Sequence, residues 1–346
     1  MGLERRTSQG KALELGVQGN LISLLHVTYT TPAFQETWQF ILPVHMAPRD
    51  NTTERFEKLL NFRDVGEFIR SRHADAQLKK GLLYRSARLD ETTQADREKL
   101  VNTFKIRTVI DLRSKTEHIN AAKKHSETVS FAAQSAAIPV GNDFVATPLK
   151  VPGLDYAEIN LNGKGFERAL LWQMKYRSIA KLAFLMAAGY RTEGISVLGK
   201  EIMLPRGLIG LGIDTLEHSG PEVKEVFDVL ADRTAYPILV HCTQGKDRTG
   251  ITIILALMLC GIDLNSIDDD YRVSEPELES EKEERMVEIR SIGLDESFAQ
   301  CPADFCERIN GHLEQKYGGV RNYLASTGIS ETQQQAIRDI LLEQGS

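Results

Sequence analysis

The chain has 346 residues, of which 42% are hydrophobic and 26% are charged, so it can bury a sizeable core as one large or two ordinary domains. Its net charge of −6 and the absence of any run of Lys or Arg argue against a sequence-independent grip on nucleic acid. Four cysteines are too few for a secreted disulfide scaffold and favour a reducing, cytoplasmic environment.

Residues 1–50 show no clean helical or strand period, so we expect them to be an N-terminal extension of the folded body. Polar side chains and Pro32 interrupt the uncharged stretch 15–34, which makes it a poor transmembrane helix. Early acidic residues and the lack of a clear small-residue cleavage site argue against a signal peptide. We therefore predict no integral membrane association.

From about residue 55 onward, strand-like and helix-like segments alternate along the chain. The first three are a short strand at 81–86, a helix at 94–104 and a buried strand at 106–114. Such alternation is typical of an α/β fold in which a central sheet is flanked by helices.

The second half continues this pattern with longer helices. A long helical stretch is predicted at 166–189, broken if anywhere near its terminal Gly189. It is followed by an amphipathic helix at 220–232, a short apolar strand at 236–241, a buried helix after Gly250 and a C-terminal helix whose capping box is Ser330 and Gln333.

The chemistry is concentrated in the stretch HCTQGKDRTG, 241–250, which joins the predicted strand to the buried helix. Its loop, from Cys242 to Asp247, can turn successive backbone N–H groups and the positive end of the following helix toward a dianion such as phosphate. Gly245 suits the tight turn because it adopts positive φ at no steric cost. The loop is therefore predicted to cradle a phosphate.

Cys242 is the candidate nucleophile, because a thiolate at a helix N-terminus near Lys246 and Arg248 is stabilised relative to the thiol. Arg248 has a planar fork that can bind two phosphate oxygens, which lysine cannot match. Thr249 can offer its hydroxyl to the thiolate. The other residues expected to bind phosphate are Thr243, Gln244, Gly245 and Lys246.

Two other patterns compete as sites and fit less well. The stretch GISVLGKE, 194–201, has the glycine and lysine spacing of a nucleotide-binding loop, but Glu201 stands where Ser or Thr should ligate magnesium. We expect an irregular loop there. Cys301 and Cys306 have no histidine pair at ligand spacing, so we predict no zinc site, and no metal or other cofactor elsewhere.

The stretch 241–250 resembles the His-Cys-x5-Arg signature of the protein tyrosine phosphatase superfamily, and its ending is similar to the tyrosine/serine phosphatases typified by a mycobacterial enzyme. The likeness covers most of 58–342 apart from a divergent middle at about 145–220, and it implies a catalytic domain at 55–346. The further segments that agree are NFRDVG (61–66), GLLYRSARL (81–89), TVIDLRSKTE (108–117), DDYRVS (269–274) and YGGVRNYLASTGIS (317–330).

The resemblance implies a mixed sheet flanked by helices and a metal-independent reaction in two steps. Cys242 would attack the phosphoryl group, and water would hydrolyse the resulting phospho-cysteine. Arg248 and the loop amides would stabilise the oxygens of the transition state. The implied substrates are phosphorylated proteins carrying phosphotyrosine, with phosphoserine and phosphothreonine as further monoesters.

The general acid has two candidates. Asp247 lies inside the loop, as in related lipid phosphatases, whereas Asp143 follows a predicted strand, where many relatives carry the acid on a separate mobile loop. We favour Asp247 because the motif fixes its place while the alignment around Asp143 is loose. Asp111 is expected to be a structural partner of the backbone or of an arginine.

Lys246 leaves the substrate class open. It either pairs with a second phosphate, which adds phosphoinositides and inositol phosphates to the substrates, or only tunes the potential around one phosphate. A catalytically weak phospho-binding module is a third hypothesis, suggested by the divergent middle. The charged segment 275–293 is expected to be a solvated helix face or, by the resemblance, a mobile lid.

Overall fold

A computed structural model of the chain describes residues 56–132 and 149–343. The predicted extension at 1–50 and the candidate acid Asp143 lie outside the described residues. The described strands are β1 (Arg63–Asp64), β2 (Leu83–Ser86), β3 (Thr108–Asp111), β4 (Asp155–Glu158) and β5 (Ile238–His241).

The strands form one mixed sheet in the order β1-β2-β5-β3-β4. β1 is antiparallel to β2, and the remaining neighbours are parallel. In the register, Ser86 of β2 and Asp111 of β3 both pair with His241 of the central strand β5. The carboxyl ends of these three strands therefore meet at one edge of the sheet, where ligands of open α/β sheets commonly bind.

Helices account for most of the described residues, and a π turn extends α2 (Lys99–Thr103) and another extends α6 (Gly199–Met203). The helices are α1 (Val65–Arg72), α2 (Gln94–Glu98), α3 (Lys115–Ala132), α4 (Lys164–Trp172), α5 (Tyr176–Ala187), α6 (Arg191–Leu198), α7 (Leu204–His218), α8 (Gly220–Ala231), α9 (Asp247–Leu259), α10 (Leu264–Arg272), α11 (Ser274–Glu277), α12 (Lys282–Ser291), α13 (Phe305–Tyr317), α14 (Val320–Thr327) and α15 (Glu331–Leu341).

Successive side chains of a strand point to opposite faces of the sheet, so they pack into two apolar cores, one on each face. Ile110, Ile238 and Val240 join the larger core, which includes residues of α7 to α10 and α13 to α15. Val109 and Leu239 join a smaller core formed with the segment around α2. The predicted α/β fold with a mixed sheet flanked by helices is confirmed.

The helix that follows the loop is buried almost all round, as its apolar sequence predicts. From Thr249 to Leu257 every residue of α9 is buried. Since a helix enclosed by other elements cannot shift without disturbing the core, α9 gives the loop that precedes it a rigid base.

Two predictions about elements are wrong. The stretch 166–189 is not one helix, because the chain becomes extended at Lys175, whose backbone N–H bonds to Oε1 of Glu201. Met174 is drawn into a small core with Leu170 and Ile202. The stretch 194–201 is helical rather than an irregular loop, within α6 and its π turn.

Candidate active site

The motif stretch has the predicted order of strand, loop and helix. β5 ends at His241, the loop runs from Cys242 to Lys246, and α9 begins at Asp247. Gly245 has a φ of +64°, and a Cβ on it would lie 2.0 Å from the carbonyl oxygen of Ser86. Only glycine fits this position, so the close approach of the loop to the end of β2 depends on it.

The carbonyl groups of the loop are held by the surrounding scaffold. Arg88 donates its backbone N–H to the oxygen of Thr243 at 3.1 Å. Asn61 donates its side-chain amide to the oxygens of Gln244 and Gly245 at 3.0 and 3.1 Å, and Nη2 of Arg85 donates to the Gly245 oxygen at 2.6 Å.

The N–H groups of Thr243 to Asp247 have no acceptor within the part of the chain that the structure describes. Backbone N–H groups that are withheld from other partners, next to the positive end of a buried helix, bind an anion well. The arrangement therefore supports the predicted phosphate cradle.

A buried ionic network fixes the scaffold residues in turn. Asp270 of α10 accepts from Nε of Arg63 at 2.7 Å and also pairs with Arg85. Burial alone would raise the pKa of Asp270, but the two guanidinium groups outweigh it and hold that pKa below its ordinary value. Three of the family-like segments thus converge beneath the loop, and their contacts with it explain why they occur together.

Arg248 lies against the first turn of α3. Its Nη1 and Nη2 donate to the two carboxylate oxygens of Glu117 at 2.8 and 2.6 Å, and Nη1 also donates to the oxygen of Leu112 at 3.2 Å. These bonds use both hydrogens of Nη1 and one of Nη2. The Nε–H and the second hydrogen of Nη2 remain available, and together they can bind two phosphate oxygens. Arg248 is thereby oriented before a substrate arrives.

Glu117 also accepts a hydrogen bond from the hydroxyl of Thr243. Burial would raise its pKa, but Arg248 outweighs burial and holds the pKa of Glu117 well below its ordinary value. Burial lowers the pKa of Arg248, but the negative charge of Glu117 outweighs burial and raises this pKa above its ordinary value. Cys242 and Asp247 raise it more weakly. The role of Glu117 was not predicted, although it is the last residue of the family-like segment 108–117.

Beneath Cys242, a second buried network fixes the end of β5. Nδ1 of His241 lies 3.1 Å from the carbonyl oxygen of Cys242, and Nε2 lies 3.4 Å from a carboxylate oxygen of Asp111. Burial lowers the pKa of His241 despite the nearby Asp111. Asp111 accepts from Arg113, which agrees with its predicted structural role.

Lys246 does not present its ammonium group to the loop interior. Its side chain is fully buried, and Nζ donates to the backbone oxygens of Phe298 and Gln300 at 3.0 and 2.7 Å. The backbone N–H of Lys246 is still one of the amides of the predicted phosphate cradle. A contact between Nζ and a second phosphate would require breaking these buried bonds, which disfavours the first interpretation of this lysine.

Three further predicted site residues, Cys242, Asp247 and Thr249, lie in the loop or in the first turn of α9. Cys242 is 3% exposed and lies at the start of the loop. Asp247 opens α9 with a side chain that is 39% exposed, and its Oδ1 lies 3.5 Å from Nζ of Lys246. The hydroxyl of Thr249 is buried without a hydrogen-bond partner among the described residues, so the predicted bond to the Cys242 sulfur is not formed.

The charged segment 275–293 carries α11 and α12. Arg285 and Met286 of α12 are buried rather than solvated, and Nη2 of Arg285 bonds to the backbone oxygen of Ala299. Burial lowers the pKa of Arg285, and the negative charge of Asp247 opposes that shift. A salt bridge of 2.8 Å between Lys124 of α3 and Glu284 links α12 to α3.

Over the described ranges, no group of three or more His, Cys, Asp or Glu side chains is arranged to hold a metal ion. No described helix is long and apolar enough to cross a membrane. All four cysteines are buried and free, with Cys301 and Cys306 unpaired.

The sequence is similar to several known phosphatases. It is 32% identical to a tyrosine-protein phosphatase of Nostoc commune over 163 residues, which are 42% of this chain and 55% of the relative. It is 28% identical to the triple specificity protein phosphatase PtpB of Mycobacterium tuberculosis over 121 residues, 31% of this chain and 44% of the relative.

A third relative is the inositol diphosphatase DSP2 of Oryza sativa, with 30% identity over 135 residues, 37% of this chain and 65% of the relative. The matches to the first two relatives span about half of their length. A family model described as the tyrosine phosphatase family matches residues 54–343. Since this match covers the whole described sheet, the phosphate loop and the helices up to α15, the chain belongs to the tyrosine phosphatase family.

Proposed function

We propose that the chain is a cysteine-dependent phosphatase that hydrolyses phosphotyrosine monoesters, with phosphoserine and phosphothreonine as further substrates. The observation that carries this proposal is the position of Cys242 at the start of a loop whose N–H groups have no acceptor among the described residues and which is followed by an Arg248 that Glu117 already orients. The catalytic domain in this proposal is 55–346, with 1–50 as an extension and a cytoplasmic location.

In the first step, the Cys242 thiolate attacks phosphorus in line with the ester oxygen. A sulfur–phosphorus bond forms as the phosphorus–oxygen bond breaks, and Asp247 gives its proton to the departing oxygen. The loop N–H groups and the free fork of Arg248 stabilise the charge on the three equatorial oxygens.

In the second step, water attacks the phosphorus of the phospho-cysteine. The sulfur departs as a thiolate, inorganic phosphate is released, and Asp247 accepts the proton of the water. The enzyme returns to its starting state, and the reaction needs no metal or other cofactor.

A phosphoinositide or inositol phosphate substrate is the second candidate. The similarity to a rice relative named an inositol diphosphatase favours it. The buried bonds of Lys246 weigh against it, because they remove the cation that would hold a second phosphate. Comparing kcat/KM for phosphopeptides and for phosphoinositide headgroups separates these two substrate classes.

The nucleophile is tested by following hydrolysis of an aryl phosphate in the presence of a chelator. We expect Cys242→Ser to abolish turnover while the wild-type chain stays active. Full turnover by Cys242→Ser would show that another group is the nucleophile. Tight phosphate binding without turnover by the wild-type chain would instead favour the phospho-binding module.

A further inference from the structure

The helix α5 lies apart from the apolar cores on either side of the sheet. None of its residues is buried, and its main packing partner is the neighbouring helix α6. Leu182 and Leu185 are half-buried on the side toward this neighbour. The opposite side of α5 is left without a partner among the described residues.

That open side is apolar. Tyr176, Ala180, Ala183, Phe184 and Ala187 recur at helical spacing on one face of α5, and all five are exposed. Tyr176 is 92% exposed and Phe184 is 70% exposed. Trp172, which is 82% exposed, stands just before the helix. Single exposed apolar side chains are common on protein surfaces, but several large ones close together indicate an interaction surface.

The same surface is positively charged, although the whole chain is acidic. Between positions 168 and 191 there are five basic residues and no acidic residue, in a chain of net charge −6. Arg177 and Lys181 lie beside the apolar face of α5, both on the same side of it, and neither forms a salt bridge with any described residue. We call Trp172, Tyr176, Arg177, Lys181 and Phe184 together the α5 surface.

We propose that the α5 surface docks the protein onto the face of an anionic lipid bilayer. An amphipathic helix with aromatic side chains on one face and flanking basic side chains lies in the plane of a membrane interface. Its apolar face enters the boundary between headgroups and acyl chains, and its basic side chains meet the anionic headgroups. Unpaired positive charge beside an apolar face supports lipid over a neutral protein partner.

The proposal is independent of which phosphate monoester the active site takes, because no residue of the α5 surface belongs to the loop or its supporting networks. Docking would hold the chain at a surface without a membrane-spanning segment. Binding to lipid can therefore be measured apart from catalysis.

The test is cosedimentation of the full chain with vesicles of phosphatidylcholine alone or with about 30% phosphatidylserine added. We expect binding only to the anionic vesicles, and weaker binding as salt rises. The double variant Arg177→Glu, Lys181→Glu should lower the affinity at least about tenfold, since each basic group near such a surface contributes to binding. Tyr176→Ser with Phe184→Ser should lower it similarly.

The matched control is Arg308→Glu with Arg321→Glu, which changes the net charge equally on α13 and α14 and should bind like the wild-type chain. Hydrolysis of a soluble aryl phosphate at the wild-type rate by every variant shows that each is folded. Equal vesicle binding by all chains, or no binding by the wild-type chain, overturns the proposal. Concentration-dependent dimerisation that Phe184→Ser abolishes would instead assign the surface to a second copy.

A second readout uses the indole of Trp172. The chain has two tryptophans, so Trp38→Phe leaves Trp172 as the only reporter. We expect its emission to shift to shorter wavelength on anionic vesicles and to be quenched by brominated acyl chains, because the ring enters the interface. An unchanged spectrum on vesicles that bind the chain would place the contact elsewhere.

Discussion

The guanidinium of Arg248, which we propose to bind the substrate, is held by Glu117 at both terminal nitrogens. Replacing Glu117 by Gln removes the charge and one of the two acceptors while keeping the size of the side chain. Because small errors in the position of a charge-stabilising group are costly, we expect kcat/KM for an aryl phosphate to fall about 10- to 100-fold.

The control for this prediction is Glu225→Gln, which changes an exposed carboxylate on α8. It should leave kcat/KM unchanged. Wild-type kcat/KM in Glu117→Gln would mean that Arg248 needs no partner to be oriented.

The same carboxylate makes stability depend on pH. The pKa of Glu117 is held well below its usual value of 4.5 by Arg248, against the effect of burial. A lowered pKa stabilises the fold above the unfolded pKa, and this contribution is lost as the pH falls toward the folded pKa. We expect the difference in unfolding free energy between wild type and Glu117→Gln to be full at pH 7. This difference should shrink below about pH 4.5. Denaturant titrations at several pH values measure it, and a difference that does not change with pH would show that the pKa of Glu117 is not lowered in the folded state.

The general acid is identified by its dependence on the leaving group. Asp247→Asn should slow hydrolysis of alkyl phosphates, whose leaving groups need a proton, by about 10²- to 10⁴-fold. It should affect an aryl phosphate with an acidic phenol far less. Asp143→Asn is the parallel variant, and the opposite pattern, with Asp143→Asn alone sensitive to the leaving group, would transfer the role to that residue.

At the scale of elements, the loop depends on its contact with the end of β2. Gly245→Ala combines a strained φ with a Cβ placed 2.0 Å from the Ser86 oxygen. Gly153→Ala is a matched control, because Gly153 has a φ of +86° and open space around it. The control should lose about 1 to 2 kcal/mol of stability through φ alone.

Gly245→Ala should lose more stability than this control and should also weaken binding of inorganic phosphate, since the loop must move. Thermal unfolding and competitive inhibition by phosphate measure the two effects. Equal losses in the two variants would show that the approach to β2 does not shape the loop.

The helix α12 is tied to α3 by the exposed pair of Lys124 and Glu284. Both side chains are more than half exposed, so the pair contributes less than about 1 kcal/mol to global stability. We expect Glu284→Lys to leave the unfolding free energy nearly unchanged but to speed amide hydrogen exchange in 282–291. Exchange in 282–291 that is the same in the wild-type chain and in Glu284→Lys would show that this pair does not hold α12 against α3.

Across the whole molecule, the features that can be predicted from the sequence are local ones. The loop and the Arg248 that follows it lie within ten consecutive residues, 241–250, and the burial of α9 follows from its unbroken apolar run. The mixed α/β architecture follows from the alternation of strands and helices.

What could not be predicted depends on contacts between distant segments. Glu117 reaches Thr243 across 126 positions, and the packing of α3 decides that contact. The long side chain of Lys246 could point to either side of its loop, and only the carbonyl oxygens near Phe298 determine its direction. The break between α4 and α5 likewise depends on Glu201, which meets the chain at Lys175.

The central claim, that Cys242 carries the phosphoryl group, is tested most directly by trapping the intermediate. The wild-type chain is mixed with a phosphotyrosine peptide, denatured rapidly in alkaline detergent and digested for mass spectrometry. We predict a phosphoryl group on the Cys242 sulfur in the wild-type chain and none in Cys242→Ser. Phosphate attached to any other residue, or turnover with no phosphorylated peptide under conditions where the second step is slow, would contradict the account.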